Sequence, residues 1–67
     1  MKNNKWYVIK CTDSYHVFDV IGAEFHSFNK HYAMKLCKYC NENNVNGKTC
    51  DMDEVLKNAK VKIAVKE

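Results

Sequence analysis

Four cysteines are the residues of this chain whose type and spacing come closest to a metal-binding or reactive set. Cys37-Lys38-Tyr39-Cys40 is a CxxC, and Cys11 and Cys50 would complete a tetrahedral Cys₄ zinc site. Zinc-binding CxxC pairs sit on knuckle turns, however, whereas this pair falls inside the strongest helical pattern of the chain, on its apolar stripe. Free cysteine in such a place behaves as a small hydrophobe. A redox role is disfavoured by position. Thiols of the thioredoxin type are activated at a helix N-terminus, and this pair lies near the C-terminal end, where the dipole works against a thiolate. Core packing is the expected role and no cofactor is expected; zinc at Cys11, Cys37, Cys40 and Cys50 is the alternative.

The histidines offer less. His16 lies in a strand pattern, His26 at a sheet-to-helix junction and His31 in a first helical turn. A nucleophilic pair such as Cys11 with His26 also needs an orienting group and an oxyanion site. No spacing in the chain supplies either. With 67 residues and a mass of 7.9 kDa, a chain of this size buries only about 60 % of its unfolded surface. That leaves little room for a cleft of roughly 300 Å³ or more. Catalysis is not expected.

The elements that must position these residues read off the hydropathy pattern. Residues 6–11 (WYVIKC) and 15–21 (YHVFDVI) are β-branched and aromatic, and Thr12-Asp13-Ser14 between them reads as a hairpin turn. Strict alternation puts Lys10 and Asp19 on one face. Tyr7, Ile9, Cys11, His16, Phe18 and Val20 then form the other, which is the expected core face. The stretch after Gly22 extends the second strand past a bulge or leads into a helix, with Ser27 as the expected N-cap. From Phe28 to about Glu42, Phe28, Tyr32, Ala33, Leu36, Cys37 and Cys40 draw one stripe on a helix. The Asn-rich run with Gly47 ends it. Asp51-Met52-Asp53-Glu54 has the D-x-x-E form of a capping box and starts a short helix through Asn58. Residues 60–66 alternate strictly, with Val61, Ile63 and Val65 on one side, and read as a third strand added to the hairpin edge. The expected fold is a single α+β domain over residues 1–67, with 1–5 as a flexible N-terminus. It is an antiparallel three-stranded sheet with one main helix packed on one face, in the order β-β-α-(short α)-β.

Charge narrows the choice of partners. The net charge is +3, and all eleven basic residues are lysines. Arginine makes the bidentate contacts that dominate specific base reading, so a lysine-only surface points weakly to nucleic acid. No segment reaches the ~20 apolar residues that span a bilayer, and the start of the chain lacks a secretory pattern. Four cysteines without an export signal point to the reducing cytosol.

Trp6-Tyr7-Val8, then Tyr15-x-Val17-x-Asp19, Gly22, Phe28, and A-x-x-L-C-x-x-C-N over Ala33 to Asn41 resemble small ββα proteins common in phages and mobile elements. The resemblance covers residues 6–43. It implies a small accessory protein that binds a host protein and inhibits or modulates it by occupying its surface, in the host cytoplasm. It carries no functional residue over.

Under the expected face assignment, Trp6, Val8, Tyr15 and Val17 gather on the sheet face away from the helix. Trp and Tyr anchor protein interfaces, so these four, with Lys30, Lys35 and Lys38 steering an acidic surface, are the expected partner contacts. A homodimer seam is a second use of the same face. The competing structural reading has Met52, Val55 and Leu56 fold back over it. A small nucleic-acid-binding domain, with the three lysines on phosphate and Trp6 or Tyr15 stacking on bases, is the alternative function.

Overall fold

The first two strands form because their residues are β-branched and aromatic and because the turn between them is polar. β1 (Trp6–Lys10) and β2 (Tyr15–Asp19) pair antiparallel, with Trp6 opposite Asp19, Val8 opposite Val17 and Lys10 opposite Tyr15. The Cys11 N–H donates to the Ser14 carbonyl at 2.8 Å and closes the hairpin. The computed structural model describes residues 6–20 and 24–62; the expected flexible segment 1–5 lies outside them.

The third strand is β3 (Glu24–Phe28), and the sheet order is β1-β2-β3. It pairs antiparallel with β2, and its register shifts between Tyr15 and Val17: Tyr15 faces Phe28, but Val17 faces Phe25. One residue of β2, His16, is thus matched by two of β3, His26 and Ser27, which is a β-bulge. In a regular strand, residues three apart point to opposite faces. The bulge turns both Phe25 and Phe28 inward, where both are buried.

This placement corrects the expectation that residues 60–66 form the third strand. Val61 and Lys62 are not in a strand, and residues 63–67 lie outside the described part of the chain.

α1 (Lys30–Glu42) carries Ala33, Leu36 and Cys40 on its buried side, at the i, i+3, i+7 spacing of one helical face. Its N-cap is Asn29, whose side-chain oxygen accepts from the Tyr32 N–H at 2.9 Å. The expected cap, Ser27, lies within β3 instead, and Phe28 ends that strand. α2 (Met52–Ala59) starts as the capping pattern requires: the Asp51 carboxylate accepts from the N–H groups of Asp53 and Glu54 at 3.1 and 3.3 Å.

Both helices end in the same way. Asn44 and Lys60 take left-handed backbone angles, with φ of 50° and 60°. After α1, Asn44 N–H donates to Asn41 O and Val45 N–H to Cys40 O; after α2, Lys60 N–H donates to Lys57 O and Val61 N–H to Leu56 O. This is the Schellman arrangement, in which the residue after the left-handed one is apolar and packs back on the helix. Val45 and Val61 fill that role, and Val61 is buried. The valine that reads as the start of an alternating strand is the last apolar residue of a helix cap.

The protein is therefore α+β, with an antiparallel three-stranded sheet and one main helix packed on it, while α2 packs against α1. Among the described residues, no helix is long and apolar enough to cross a membrane. The core lies between the sheet and α1, and its largest fully buried side chains are Phe28, Leu36, Val17 and Cys40.

The helix covers the face that the alternation assigned to the outside. Trp6 is 2 % exposed and Val17 is fully buried, while Tyr7 and Ile9 are 44 % and 49 % exposed. The hairpin alternates apolar residues on both faces, so period 2 alone does not choose between them. Trp6 decides the choice. It offers the larger area for burial, and its indole N–H finds a partner on that side, the Val45 carbonyl at 3.1 Å. The charge on the same face is accommodated too. Asp19, 3 % exposed, accepts from the Gly47 N–H at 3.1 Å, and Lys10 at the far end of β1 is exposed.

Candidate functional site

The sheet face that neither helix covers is the site that the described residues leave available. Cross-strand pairing puts Tyr7 opposite Phe18 and Ile9 opposite His16, and Phe18 opposite Glu24 of β3. The Tyr7 and Phe18 rings pack with centroids 5.6 Å apart. Beside them, His16 Nδ1 lies 2.9 Å from Glu24 Oε2, and His26 Nε2 lies 3.7 Å from Glu24 Oε1. The two imidazoles meet edge to face with centroids 4.4 Å apart. His26 reaches this cluster because it shares the outward parity of Glu24, two residues before it on β3. An aromatic and aliphatic patch thus borders a polar cluster on one face of the sheet.

The expected contact residues are redistributed by the inverted face. Trp6 and Val17 are core residues, and Val8 and Tyr15 are half-buried against that core. Trp6 is therefore closed off both as an interface anchor and as a stacking surface for bases. Of the segment expected to cover it, Val55 is buried and Met52 and Leu56 pack against the same core from α2. Lys30, Lys35 and Lys38 are exposed, but they lie on α1, across the sheet from the open face. Lys35 Nζ donates to the Lys60 carbonyl at 3.5 Å, and Lys38 sits 4.0 Å from Glu42 one turn on.

The four cysteines do not assemble as a zinc set. Cys37 donates its S–H to the Trp6 carbonyl at 3.2 Å, at the start of β1, whereas Cys11 follows the other end of that strand. Five residues at about 3.3 Å each separate those ends by roughly 16 Å. Sulfurs sharing one zinc at a bond length of 2.3 Å stand about 3.8 Å apart. Cys40 is fully buried, and Cys37, Cys50 and Cys11 are half-buried. Burial pushes the Cys40 thiol pKa up to about 12, helped by nearby Cys37, Cys50 and Asp19. Burial also raises Cys37, against a hydrogen bond from Asn41, and Cys50, against a backbone hydrogen bond. These three are neutral thiols in the packing, as expected of core cysteines.

Sequence reasoning missed Tyr7 and Ile9 as surface residues, with the half-buried Phe18 beside them, and Glu24 altogether. Their signal was present as the second apolar parity of the hairpin and as a Glu-x-His pair one strand away from His16. His31, by contrast, is exposed on the first turn of α1 with its ring 5.5 Å from that of Tyr32. Comparison with family models, curated proteins and solved structures finds no match to this chain, so its function is argued from this geometry.

Proposed function

We propose that this chain is a protein-binding module whose contact surface is the open sheet face around Tyr7, Ile9 and Phe18. The observation that carries the reading is the exposure of Tyr7 and Ile9 on a face that neither helix covers. Contiguous aromatic and branched side chains on such a face mark interaction surfaces, and tyrosine is among the residues that anchor them. Both strands are held from behind by α1, so the face is rigid before binding and loses little entropy on docking. The finer reading, that the partner is a host protein inhibited or modulated by occupation of its surface, rests on the likeness to small ββα phage proteins.

The test is affinity capture from host extract, followed by titration of the captured partner with Tyr7→Ala and Ile9→Ala. Each substitution is expected to weaken binding by more than about 1 kcal/mol while leaving the fold intact. Trp6→Ala should instead destabilise the fold itself, by about 3–5 kcal/mol. A partner that binds both face variants with unchanged affinity rejects the reading. So does a stable dimer of the chain alone that the same substitutions dissociate, because the face is then a seam between copies.

A further inference from the structure

We propose that His16, Glu24 and His26 form a binding site for a divalent first-row transition-metal ion, zinc by ligand type, held through His16 Nδ1, a Glu24 carboxylate oxygen and His26 Nε2. The site stands on its own geometry and does not depend on the docking reading.

The three ligand atoms come from two adjacent strands and lie within 4.8 Å of one another. Zinc binds nitrogen and carboxylate oxygen at about 2.0–2.2 Å, so neighbouring ligands on one tetrahedral ion stand roughly 3.3 Å apart. The observed separations, 2.9 Å from His16 Nδ1 to one Glu24 oxygen and 3.7 Å from His26 Nε2 to the other, lie on either side of that value and set the carboxylate between the two imidazoles. A hydrogen bond explains only the first. The second is too long for one, yet the His26 ring is packed against His16 and turned to the same carboxylate. An ion between the three groups satisfies both imidazole lone pairs and the carboxylate charge together.

The donor set also selects the metal class. Magnesium and calcium take oxygen ligands almost exclusively, and two imidazoles with one carboxylate suit zinc, cobalt, nickel or iron instead. No thiolate is required. Backbone pairing fixes the three positions: His16 second in β2, opposite the bulge, and Glu24 and His26 on the same face of β3. His16 is the anchored ligand, with its side chain 19 % exposed, and the more exposed Glu24 and His26 adjust to close on the ion. Three protein ligands leave at least one coordination position on the open face for water or an added group.

Titration of cobalt(II) into the untagged, thiol-reduced protein tests the site. The expected result is one bound ion with visible d–d bands, no thiolate-to-cobalt charge-transfer band, and paramagnetic broadening of amide signals centred on β2 and β3. Zinc should displace the cobalt. Glu24→Gln and His26→Ala should each weaken binding about tenfold or more, with far-UV circular dichroism unchanged. Absence of binding at millimolar cobalt and zinc overturns the proposal. So does a thiolate band, which moves the ion to the cysteines, and so does unchanged affinity in both variants. The broadening pattern is read on the unaltered protein, so a variant that fails to fold leaves that arm decisive.

Discussion

The Asn41 carboxamide grips the backbone of Trp6 from both sides. Trp6 N–H donates to Asn41 Oδ1 at 2.8 Å, and Asn41 Nδ2 donates to the Trp6 carbonyl at 3.2 Å. β1 is at the edge of the described sheet, and at Trp6, a non-hydrogen-bonded position of the β1–β2 ladder, both backbone groups face that open edge instead of β2. A side-chain amide presents a donor and an acceptor at the spacing of a peptide, and Asn41 serves here as one residue of a missing strand. The Cys37 S–H shares the Trp6 carbonyl from one helical turn earlier, and the Trp6 indole N–H reaches the Val45 carbonyl beyond the helix end. Sheet and helix are thus locked at the residue that chooses the core face.

Removing that grip should be costly for a single polar side chain. Asn41→Ala leaves the part-buried Trp6 N–H without a partner, which costs about 1–3 kcal/mol, and leaves the Trp6 carbonyl with the weak Cys37 S–H donor alone. The expected effect is a lower urea midpoint at unchanged m-value, which denotes lost stability without a change in the surface exposed. Asn41→Asp keeps the acceptor for the Trp6 N–H but turns a donor to the Trp6 carbonyl into a second acceptor. It should therefore destabilise as well. Equal midpoints for Asn41→Asp and the unaltered chain would count against the two-sided grip.

Lys60 offers the opposite opportunity. Its φ of 60° closes the Schellman cap of α2, and a Cβ in that conformation costs about 1–2 kcal/mol. Glycine removes the strain but adds freedom to the unfolded chain. The net expectation for Lys60→Gly is a gain of about 0.5–1 kcal/mol. At roughly 4–8 °C per kcal/mol for a domain of this size, a thermal melt resolves it. Lys60→Ala keeps the Cβ and should stay within about 0.5 kcal/mol of the parent. A Gly variant that melts at or below the Ala variant would reject the cap as a strained position.

Alkaline pH should unfold the protein through its buried thiols. Folding raises the Cys40 pKa from 9.0 to about 12, with burial the main cause. The unfolded chain gives up that proton near the ordinary value, while the folded chain holds it. The contribution to stability is full below pH 9 and is lost as the pH rises through the folded value. Cys37 and Cys50 shift in the same direction and add to the slope. Urea midpoints measured from neutral pH upward should therefore fall above pH 9, and Cys40→Ala should flatten the decline while lowering the starting stability. The same burial makes Cys40 the last of the four thiols to be alkylated, which mass spectrometry of partly labelled protein resolves.

Local chemistry was enough to announce several elements. The apolar spacing of Ala33, Leu36 and Cys40 marks α1 because a helix returns to the same face every three to four residues. Asp51 announces α2 because its carboxylate has two N–H groups to accept from. The polar turn at residues 12–14 announces the hairpin. The α+β class follows from these, since a helix with one apolar stripe must bury it against a sheet. The neutral, packed state of Cys37 and Cys40 was legible for the same reason: both lie on that stripe.

The face of the hairpin was decided elsewhere. Trp6, Val8 and Val17 alternate as well as Tyr7, Ile9 and Phe18 do, so the two parities are equivalent until a helix lands on one of them. The outcome depends on contacts across long stretches of chain, from Asn41 and Val45 to Trp6 and from Gly47 to Asp19. The bulge that turns Phe25 and Phe28 to the same side is likewise a product of pairing with β2. So is the placement of His16 beside Glu24 and His26. Val61 shows the limit from the other direction, because one valine fits an alternating strand and a helix cap equally well. Residue spacing along the chain determined which segments became helix and hairpin, through local periodicity and capping. Tertiary packing alone decided which side of the sheet is core and which carries Tyr7, Ile9 and the His16–Glu24–His26 cluster, because burial of one parity exposes the other.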